Sequence, residues 1–435
     1  MFKNSKDKAK AKRHESEHHP DDSEAATLKE ETLSKYERAL EAMKKDSKFL
    51  TDQPSRLVPK FGSDEVHIGS ILGIGGFCSV REVKTITLDP SLSHLQPEIQ
   101  VKNREFDTET RTFMSENCTR DKESRYAVKQ MKQKFDTEKQ RCRGQFDLAI
   151  ECLYLGHLAH PNIIKMRGSL SCESSVKEPG FFIVLDRLYD TLQEKIDDKW
   201  PKEYKSLTGP FGIIGKDKEK LRRLFLERMI VAHDLSAVFR YLHSKRIIYR
   251  DLKPENIGFD IRGDVKLFDF GLCKEMPTVS GKGNVNALYK LTIKTGSIPY
   301  MAPECMLGQK YNQKVDVFSF AMLLWEMFAL KIPFKGFNRY DYIEKVCKGP
   351  QMRPSTSMKC PTLTKSIIQE SWHHDAKKRP EFERITTVIR GETNDITEGL
   401  HASVRDRTTH LLNRSQNSMH ARFDAMNKSD RRART

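Results

Sequence analysis

Two stretches of the chain combine residue types that could handle phosphate chemistry. Residues 247–259, IIYRDLKPENIGF, place Arg250, Asp251, Lys253 and Asn256 directly after an apolar pair. Residues 73–80, GIGGFCSV, follow a strand-like run, and glycines at such a turn let backbone N–H groups approach phosphate oxygens closely. Each stretch alone has an ordinary explanation, because most glycine turns bind nothing and most charge runs are solvated loops.

Further short motifs occur in order along the chain. AVK at 127–129 ends in Lys129, and Glu151 lies in an apolar helical stretch nine residues before HPNI at 160–163. Thirteen residues after Asn256 comes DFG at 269–271, followed by YMAPE at 300–304, DVFSF at 316–320 and KKRPEF at 377–382. A single motif of this kind is weak, but the complete series in this order has no ordinary explanation.

The elements that carry these motifs change in character along the chain. From about residue 64 the sequence predicts mostly strands, around the glycine turn, at 125–131 and at 180–188, with a helix at 147–160. The pattern then becomes mainly helical: 221–244 is amphipathic, and 316–330 is apolar on nearly all sides, as in a buried helix. A strand-rich part followed by a helix-rich part predicts an α+β fold of two lobes with a cleft between them.

Extensions and inserts surround this pattern. The N-terminal extension, residues 1–63, is expected to be mostly disordered, but Leu33, Tyr36, Leu40 and Met43 at helical spacing predict an amphipathic helix at 24–50 that docks on the chain's own domain. Residues 87–124 lack clear periodicity and are interpreted as an inserted loop, and a second insert covers about 197–218. Residues 391–435 are expected to be a polar basic tail, in which 401–423 either docks as a short helix or is disordered.

Composition narrows the class of protein. The nine cysteines form no CxxC pair, which argues against zinc and a disulfide framework and fits a reducing intracellular compartment. No apolar stretch has membrane-spanning length, and the N-terminus has no apolar core of a signal peptide. Of the net charge of +16, +12 lies outside residues 1–63 and 391–435. A basic globular face suits nucleotides, acidic partners or membranes rather than a nucleic-acid-binding tail.

With the motifs in this order, the sequence resembles the eukaryotic protein kinases over about residues 64–390. The resemblance implies the bilobal kinase fold: a small β-rich N-lobe with one key helix, a larger helical C-lobe, and an ATP cleft between them. In that cleft the glycines would cover the triphosphate, and backbone groups of the hinge would hydrogen-bond adenine. The residues implied to bind the nucleotide are Gly73, Gly75, Gly76, Val80, Ala127, Lys129, Glu151, Asp186, Leu188, Asn256 and Asp269.

The same resemblance implies roles in phosphoryl transfer, which is mostly positioning and charge neutralisation. Lys129 would hold the α- and β-phosphates, positioned by an ion pair with Glu151. Asp251 would orient the attacking hydroxyl and accept its proton, and Lys253 would neutralise the γ-phosphate in transit. Asn256 and Asp269 would ligate Mg²⁺ through hard oxygen donors. ATP and Mg²⁺ are thus the implied cofactors.

Other matches to the family are architectural. A stack of apolar side chains that couples the lobes would be formed by Leu155, Met166, Tyr249 and Phe270. A buried ion pair of the helical lobe would join Glu304 and Arg379. Asp316 would anchor the backbone of the catalytic loop.

The amino-acid sequences of two motifs resemble those of serine/threonine kinases. Lys253 stands two residues after Asp251, and GSIPYMAPE at 296–304 places Ser297 where the family has a threonine that contacts the catalytic pair. GSIPYMAPE and DVFSFAMLLWEM look most like the tyrosine-kinase-like group. Arg250 implies activation by phosphorylation between Gly271 and Gly296. The candidate sites are Thr292 and Thr295, followed by Thr278, Ser280 and Tyr289.

Three residues depart from the family pattern. Cys78 replaces a third glycine and is expected to be a neutral thiol. Tyr249 replaces a histidine. Gly258 stands where an apolar side chain usually lies under the adenine, so either Phe259 or another neighbour fills the gap or the pocket has a deeper floor.

Several functions remain open at this point. The favoured one is a serine/threonine protein kinase that acts on protein substrates and has an upstream kinase as a further partner. The alternatives are a nucleotide-binding scaffold without useful turnover, a basic adaptor for nucleic acid or anionic membranes, and a small-molecule kinase on the same fold. The charge distribution argues against the adaptor, and YMAPE argues against the small-molecule kinase. A cytoplasmic location is expected, with a nuclear one as the alternative.

Overall fold

Most strand residues lie before residue 191 and most helical residues after it, as predicted. The computed structural model describes residues 22–53, 55–90, 101–172, 174–208, 218–277, 287–292 and 296–398; the expectation for 401–423 lies outside them. The strands are β1 Lys60–Phe61, β2 Val66–Ile74, β3 Cys78–Ile86, β4 Thr119–Arg120, β5 Glu123–Ser124, β6 Tyr126–Met131, β7 Met166–Leu170, β8 Phe182–Asp186, β9 Asp190–Thr191, β10 Ile247–Ile248, β11 Ile257–Phe259, β12 Val265–Leu267 and β13 Lys274–Glu275. The helices are α1 Asp22–Asp46, α2 Lys48–Asp52, α3 Val101–Glu116, α4 Glu138–His157, α5 Leu192–Glu194, α6 Trp200–Thr208, α7 Lys218–Ser244, α8 Pro303–Met306, α9 Lys314–Ala329, α10 Arg339–Asp341, α11 Thr362–Ser371 and α12 Phe382–Glu398.

Six strands form the sheet of the N-terminal lobe, in the order β1-β7-β8-β6-β3-β2. Neighbouring strands are antiparallel except β1 and β7. The register places Val80 of β3 opposite Lys129 of β6, and Ala127 of β6 opposite Leu185 of β8. The sheet therefore brings the glycine turn, the lysine strand and the segment after β8 side by side.

The helical lobe is built around α9, in which every residue from Lys314 to Phe328 is buried. Its sequence is apolar on nearly all sides, which is typical of a helix surrounded by other elements. Phe382 of α12 contacts Phe239 of α7 and Phe320 of α9, with ring centroids 5.1 and 5.2 Å away. None of the helices given above is long and apolar enough to cross a membrane.

Short strands and backbone hydrogen bonds join the two lobes. β11 pairs with β12 and β9, and β10 pairs with β13. The N–H of Leu267 in β12 donates to the carbonyl of Asn162 at 2.8 Å, and the N–H of Ile164 donates back to Leu267 at 2.9 Å. The charged stretch 249–256 lies between β10 and β11, so it belongs to this junction.

The N-terminal amphipathic helix docks on the chain's own domain, as predicted. Leu33 and Leu40 of α1 are buried, and the ring of Tyr36 stacks on Phe146 of α4 with a centroid distance of 4.7 Å. The helical region ends in a second short helix, α2, whose Phe49 is also buried.

The interpretation of 87–124 as a loop is wrong for its described part. Residues 101–116 form α3, and β4 and β5 form a hairpin directly after it. Met114 is buried in the core, and the guanidinium of Arg111 forms a buried ion pair with Glu65. The periodicity was weak because a buried arginine occupies the inward face of this helix.

The outer limits of the folded part also differ in detail from the expectation. Helix α12 passes residue 391, where the tail was expected to begin, and continues to Glu398. The second insert contains helix α6 at its start, while 209–217 lie outside the described residues. The domain limits at 64 and 390 remain a proposal.

Candidate active site

The loop that carries Asp251 is held in place by the buried helix α9. Both carboxylate oxygens of Asp316 accept backbone N–H groups, from Tyr249 and from Arg250, each at 2.9 Å. His243 contacts the same carboxylate at 2.9 Å. Arg250 has a φ of 74°, a left-handed conformation that such external anchors must maintain. Asp316 thus has the anchoring position expected from the sequence.

Asp251 lies at the centre of a polar cluster. The ammonium of Lys253 is 2.9 Å from its Oδ2, and the Nδ2 of Asn256 donates to Oδ2 at 3.0 Å and to the Asp251 carbonyl at 2.8 Å. The Ser297 hydroxyl is 3.3 Å from both Asp251 Oδ1 and the Lys253 ammonium. Toward the described parts of the chain, both side-chain hydrogen bonds of Asn256 use Nδ2, which leaves its Oδ1 as an acceptor for a cation.

Lys129 forms a second cluster with two carboxylates. Its ammonium lies 2.5 Å from Glu151 of α4 and 3.0 Å from Asp269. Glu151 is almost completely buried, whereas the Asp269 side chain is 42% exposed and is therefore open to a ligand. Asp269 has a φ of 64°, so its backbone also takes a left-handed conformation. The structure contains the expected ion pair between Lys129 and Glu151, and it adds the DFG aspartate, whose contact with Lys129 was not predicted.

Charges in this second cluster shift one another's pKa. Burial disfavours the charged form of Lys129, but Asp269 and Glu151 outweigh it and hold the pKa of Lys129 above its ordinary value. Burial raises the pKa of Glu151, and the ammonium of Lys129 offsets only part of this effect. For Asp269, Lys129 overcomes the effect of burial and holds the pKa below its ordinary value. The surroundings of Lys129 therefore favour its charged form, which can bind anionic oxygens.

Helix α4 contacts three parts of the site through its inner face. Besides Glu151, it carries Gly144, where a Cβ atom would lie 2.5 Å from the Cβ of Phe77 in the glycine turn. Its Asp147 backbone carbonyl lies 3.0 Å from where a Cβ of Gly271 would be. The position of α4 therefore constrains where both the glycine turn and the DFG segment can lie. Asp147 belongs to none of the sequence motifs, although it lies one helical turn before Glu151 on the same face.

The glycine turn leaves space for a ligand. The N–H of Gly75 donates to the carbonyl of Cys78 at 2.8 Å and closes the turn. Apart from the adjoining residues of the chain, no described atom lies within 4 Å of where a Cβ of Gly73 or Gly76 would be. Burial raises the pKa of the Cys78 thiol to about 12, so the thiol is neutral, as expected. These glycines meet no internal packing requirement, which fits a backbone that approaches phosphates.

The hinge after β8 presents complementary backbone groups. The Asp186 N–H donates to the Lys165 carbonyl at 3.1 Å, and the Asp186 carboxylate pairs with Arg167 at 2.6 Å. The N–H of Leu188 has no hydrogen-bond partner within the ranges that the structure describes. Of the two residues expected to meet adenine, Leu188 can thus offer a donor, whereas Asp186 can offer only its carbonyl.

The side chain of Leu188 occupies the space that the missing side chain of Gly258 leaves. A Cβ atom at position 258 would lie 2.5 Å from Cδ1 of Leu188 and 3.2 Å from the carbonyl of Asp190. The hinge side chain therefore fills the gap above Gly258. The side chain of Phe259 points to the other face of β11, as successive side chains of a strand do, and its ring lies 4.5 Å from the ammonium of Lys195.

The described residues contain no group of three or more His, Cys, Asp or Glu side chains that could hold a metal ion. Asn256 and Asp269 are oxygen donors, and Mg²⁺ is commonly held by one or two such protein ligands together with phosphates and water. The residues present therefore fit Mg²⁺ bound jointly with a nucleotide. They do not form an independent metal site.

The expected architectural contacts are also present. Tyr249 and Phe270 pack edge to face with centroids 5.4 Å apart, and the Tyr249 hydroxyl donates to the Phe268 carbonyl at 2.5 Å. Leu155 and Met166 are buried in the same core. Arg379 and Glu304 form a bidentate pair at 2.6 and 2.9 Å.

The segment after DFG is described in part. Arg250 donates to the Leu272 carbonyl at 2.7 Å and contacts the Tyr311 hydroxyl at 3.3 Å. That hydroxyl in turn donates to the carbonyl of Thr292 at 2.6 Å. The Tyr289 hydroxyl accepts from Arg246 at 3.1 Å. The other candidate phosphorylation sites lie outside the described residues: Thr278, Ser280 and Thr295.

Comparison with known proteins gives a consistent result. Residues 95–389 match the family described as protein tyrosine and serine/threonine kinase. A serine/threonine/tyrosine-protein kinase of Arabidopsis thaliana is 28% identical over 288 residues, 65% of each chain. A dual specificity protein kinase of Dictyostelium discoideum is 35% identical over 163 residues, 37% of this chain and 24% of the relative.

A probable LIM domain-containing serine/threonine-protein kinase of Dictyostelium discoideum is 31% identical over 181 residues. These cover 42% of this chain and 18% of that relative. The chain thus spans less than two thirds of the length of these relatives. The glycine turn at 73–80 precedes the matched range, but the pairing of β3 with β6 attaches it to the same sheet.

Proposed function

The chain belongs to the family of protein tyrosine and serine/threonine kinases, and on that premise we propose that it transfers the γ-phosphoryl group of Mg-ATP to serine and threonine hydroxyls of proteins. The observation that carries this proposal is the simultaneous presence of both polar clusters. Lys129 is paired with Glu151 and Asp269, while Asp251 is in contact with Lys253 and Asn256. No side chain of the phosphoryl-transfer machinery is replaced.

Different residues of the cleft bind the phosphates and orient the adenine. Lys129 binds phosphate oxygens of ATP, and the N–H of Leu188 together with the Asp186 carbonyl orients the adenine. Mg²⁺, held by Asn256 and Asp269 when bound, neutralises charge on the phosphates. These groups hold the γ-phosphorus in line with the incoming hydroxyl, which is where most of the catalysis in such reactions arises.

Asp251 acts on the substrate hydroxyl. Its Oδ1 faces Ser297 and its Oδ2 faces Lys253 and Asn256, so the carboxylate is fixed for one orientation of the hydroxyl. The hydroxyl oxygen attacks the γ-phosphorus, the bond from phosphorus to the β–γ bridging oxygen breaks, and the hydroxyl proton passes to Asp251. ADP and a phosphorylated protein result. Lys253 offsets the negative charge on the transferred group.

The proposed specificity for serine and threonine over tyrosine rests on the residue types in the catalytic loop. Lys253 and the Ser297 contact support serine/threonine specificity. Relatives with serine/threonine, dual-specificity and serine/threonine/tyrosine names agree with the resemblance to the tyrosine-kinase-like group. Tyrosine as an additional acceptor is therefore an outcome that the experiment must distinguish.

We also propose that phosphorylation between Gly271 and Gly296 regulates the enzyme. The guanidinium of Arg250 already donates to the Leu272 carbonyl and to the Tyr311 hydroxyl. That hydroxyl donates to the backbone carbonyl of Thr292, a residue that is exposed. A phosphate near Thr292 would place two negative charges close to Arg250 and order the segment. Phosphatase treatment should lower activity, and unchanged activity after complete dephosphorylation would contradict this regulation.

The decisive experiment is transfer of labelled γ-phosphate from ATP to the protein itself and to a generic basic protein. We expect Mg²⁺-dependent label on serine or threonine that is lost in Asp251→Asn and Lys129→Met. Label on tyrosine as well would indicate dual specificity. ATP binding without transfer, after pretreatment with an activating kinase, would support the nucleotide-binding scaffold instead.

A further inference from the structure

Helix α1 lies along the outer face of α4, the helix that carries Glu151. Near the start of α4, Lys29 lies 3.5 Å from Glu138. In the middle, the ring of Tyr36 stacks on Phe146. The loop that follows β7 is tied to both helices, because Lys177 pairs with Glu37 of α1 at 2.6 Å and Gln145 of α4 donates to the Glu178 carbonyl at 2.8 Å.

Helix α2 extends this contact to the far end of α4. The Ser47 hydroxyl caps α2 by accepting the N–H of Leu50 at 3.0 Å. The ring of Phe49 lies 6.2 Å from Tyr154 and 6.2 Å from His157, both in the last turns of α4. The two N-terminal helices thus contact α4 from its first turn to its last.

Glu275 connects α2 to the activation segment. The Ser47 hydroxyl donates to one oxygen of the Glu275 carboxylate, and the Phe49 N–H donates to the other at 3.1 Å. The Tyr154 hydroxyl of α4 lies beside the backbone of Glu275. Glu275 lies six residues after Asp269 and pairs in β13 with Ile247, which precedes the catalytic loop. One carboxylate therefore joins α2 to the strand that follows DFG.

We propose that α1 and α2 are a positioning element for phosphoryl transfer, with the Ser47–Glu275 contact as its connection to the activation segment. The inference rests on the proposed function. Glu151 reaches Lys129 only while α4 keeps its place, and α4 also supports the glycine turn through Gly144 and DFG through Asp147. The N-terminal helices restrict α4 from outside, so they keep the Lys129–Glu151 pair formed.

A matched pair of variants isolates the hydroxyl of Ser47. Ser47→Thr and Ser47→Val add the same volume at a buried position, but only threonine can cap α2 and donate to Glu275. Tyr36→Ala removes the stacking on Phe146 independently. Glu41→Ala, on the exposed face of α1, is the control.

Two readouts are needed on the full chain. The first is hydrogen exchange of residues 138–157 without nucleotide, and the second is kcat for labelled-phosphate transfer. We expect Ser47→Val and Tyr36→Ala to speed exchange in α4 and to lower kcat by about fivefold or more. Ser47→Thr and Glu41→Ala should behave as the wild type in both measurements.

The two proposals can fail separately. Unchanged exchange in α4 and unchanged kcat in Ser47→Val and Tyr36→Ala would show that α1 and α2 merely cover an apolar face. Faster exchange over the whole chain, with a lower melting temperature, would equally overturn a positioning role. If the wild type transfers no phosphate, the proposed function fails, and faster exchange confined to α4 still supports the restriction of α4.

Discussion

Ser297 joins the catalytic pair through one hydroxyl group. The hydroxyl oxygen is 3.3 Å from both Asp251 and Lys253. Without this hydroxyl, both side chains should lose a contact that fixes their orientation. We predict that Ser297→Ala lowers kcat by about fivefold to tenfold, since a hydrogen bond contributes about 1 kcal/mol and 1.4 kcal/mol is about a factor of ten. Ser297→Thr should retain activity.

The measurement is steady-state transfer at saturating ATP, with exposed Ser63→Ala as the control. Equal kcat for Ser297→Ala and the wild type would show that the hydroxyl does not position Asp251.

Asp147 has a pH dependence that follows from its burial beside Gly271. Burial raises the pKa of Asp147 to about 6, while Arg143, 2.9 Å away, lowers it only in part. The folded-state pKa lies above the ordinary value of 3.8, so this carboxyl favours folding below about pH 4 and loses that contribution as the pH rises through about 6. At high pH the wild type must bury the ionised carboxylate of Asp147, whereas Asp147→Asn has a neutral side chain at this position.

We therefore predict that the free energy of unfolding of Asp147→Asn, relative to the wild type, rises by about 1 kcal/mol between about pH 5 and pH 8. Urea unfolding across this pH range is the measurement. The exposed Asp121→Asn is the control, and its difference from the wild type should not follow the same curve. A constant difference for Asp147→Asn would contradict the pKa shift.

At the scale of elements, helix α3 depends on one buried ion pair. Arg111 and Glu65 are both largely buried, and Glu65 also accepts the N–H groups of Gly62 at 2.7 Å and Asp89 at 2.9 Å. These backbone donors keep part of the carboxylate satisfied if Arg111 is lost. We predict that Arg111→Ala lowers the free energy of unfolding by about 2 to 4 kcal/mol, because a buried charge loses its ionic partner.

Chemical denaturation measures this effect. The control is Arg120→Ala, which affects an exposed arginine of the hairpin after α3. If Arg111→Ala were as stable as the control, α3 would not depend on the ion pair.

The elements also show which local patterns can be interpreted from sequence. Helix α1 was predicted from Leu33, Tyr36 and Leu40, because its buried side is made of apolar residues at helical spacing. Helix α3 was missed because Arg111 occupies its inward side, and the Glu65 that compensates the charge is 46 positions away. Periodicity detects apolar faces, but it does not detect a buried charge whose partner is distant.

At the scale of the whole molecule, the hinge packs onto the helical lobe through Leu188 and Gly258. A Cβ atom on Gly258 would approach both Leu188 and the Asp190 carbonyl too closely. We predict that Gly258→Ala costs about 1 to 3 kcal/mol of stability, as overpacking does in other cores. Leu188→Ala in the same chain should recover part of this loss by removing the nearer contact.

A double-mutant cycle on the free energy of unfolding tests the coupling, with ATP binding measured in the same variants. Additive effects of Gly258→Ala and Leu188→Ala would show that the two residues do not share the space. The Asp190 carbonyl limits the recovery, since backbone cannot move as freely as a side chain.

The candidate catalytic residues could be proposed from sequence because each belongs to a short motif on a predictable element. Lys129 ends AVK on a strand, Asp251 and Asn256 lie in one loop, and Asp269 begins DFG. The structure places three of the candidate side chains together: the ammonium of Lys129 is 2.5 Å from Glu151 and 3.0 Å from Asp269. The expected contact between the Asp186 backbone and adenine stays a prediction, and it falls to the Asp186 carbonyl because the N–H donates to the carbonyl of Lys165.

By itself, the sequence indicated the family, a strand-rich part followed by a helix-rich part, and the candidate catalytic side chains, because motifs and periodicity are local properties. The tertiary structure alone decided that Leu188 fills the space above Gly258 and that Ser47 meets Glu275, 228 positions away. Such contacts depend on the shapes of surfaces brought together by folding. The type and spacing of neighbouring residues do not encode them, so they become visible only when the packed chain is known.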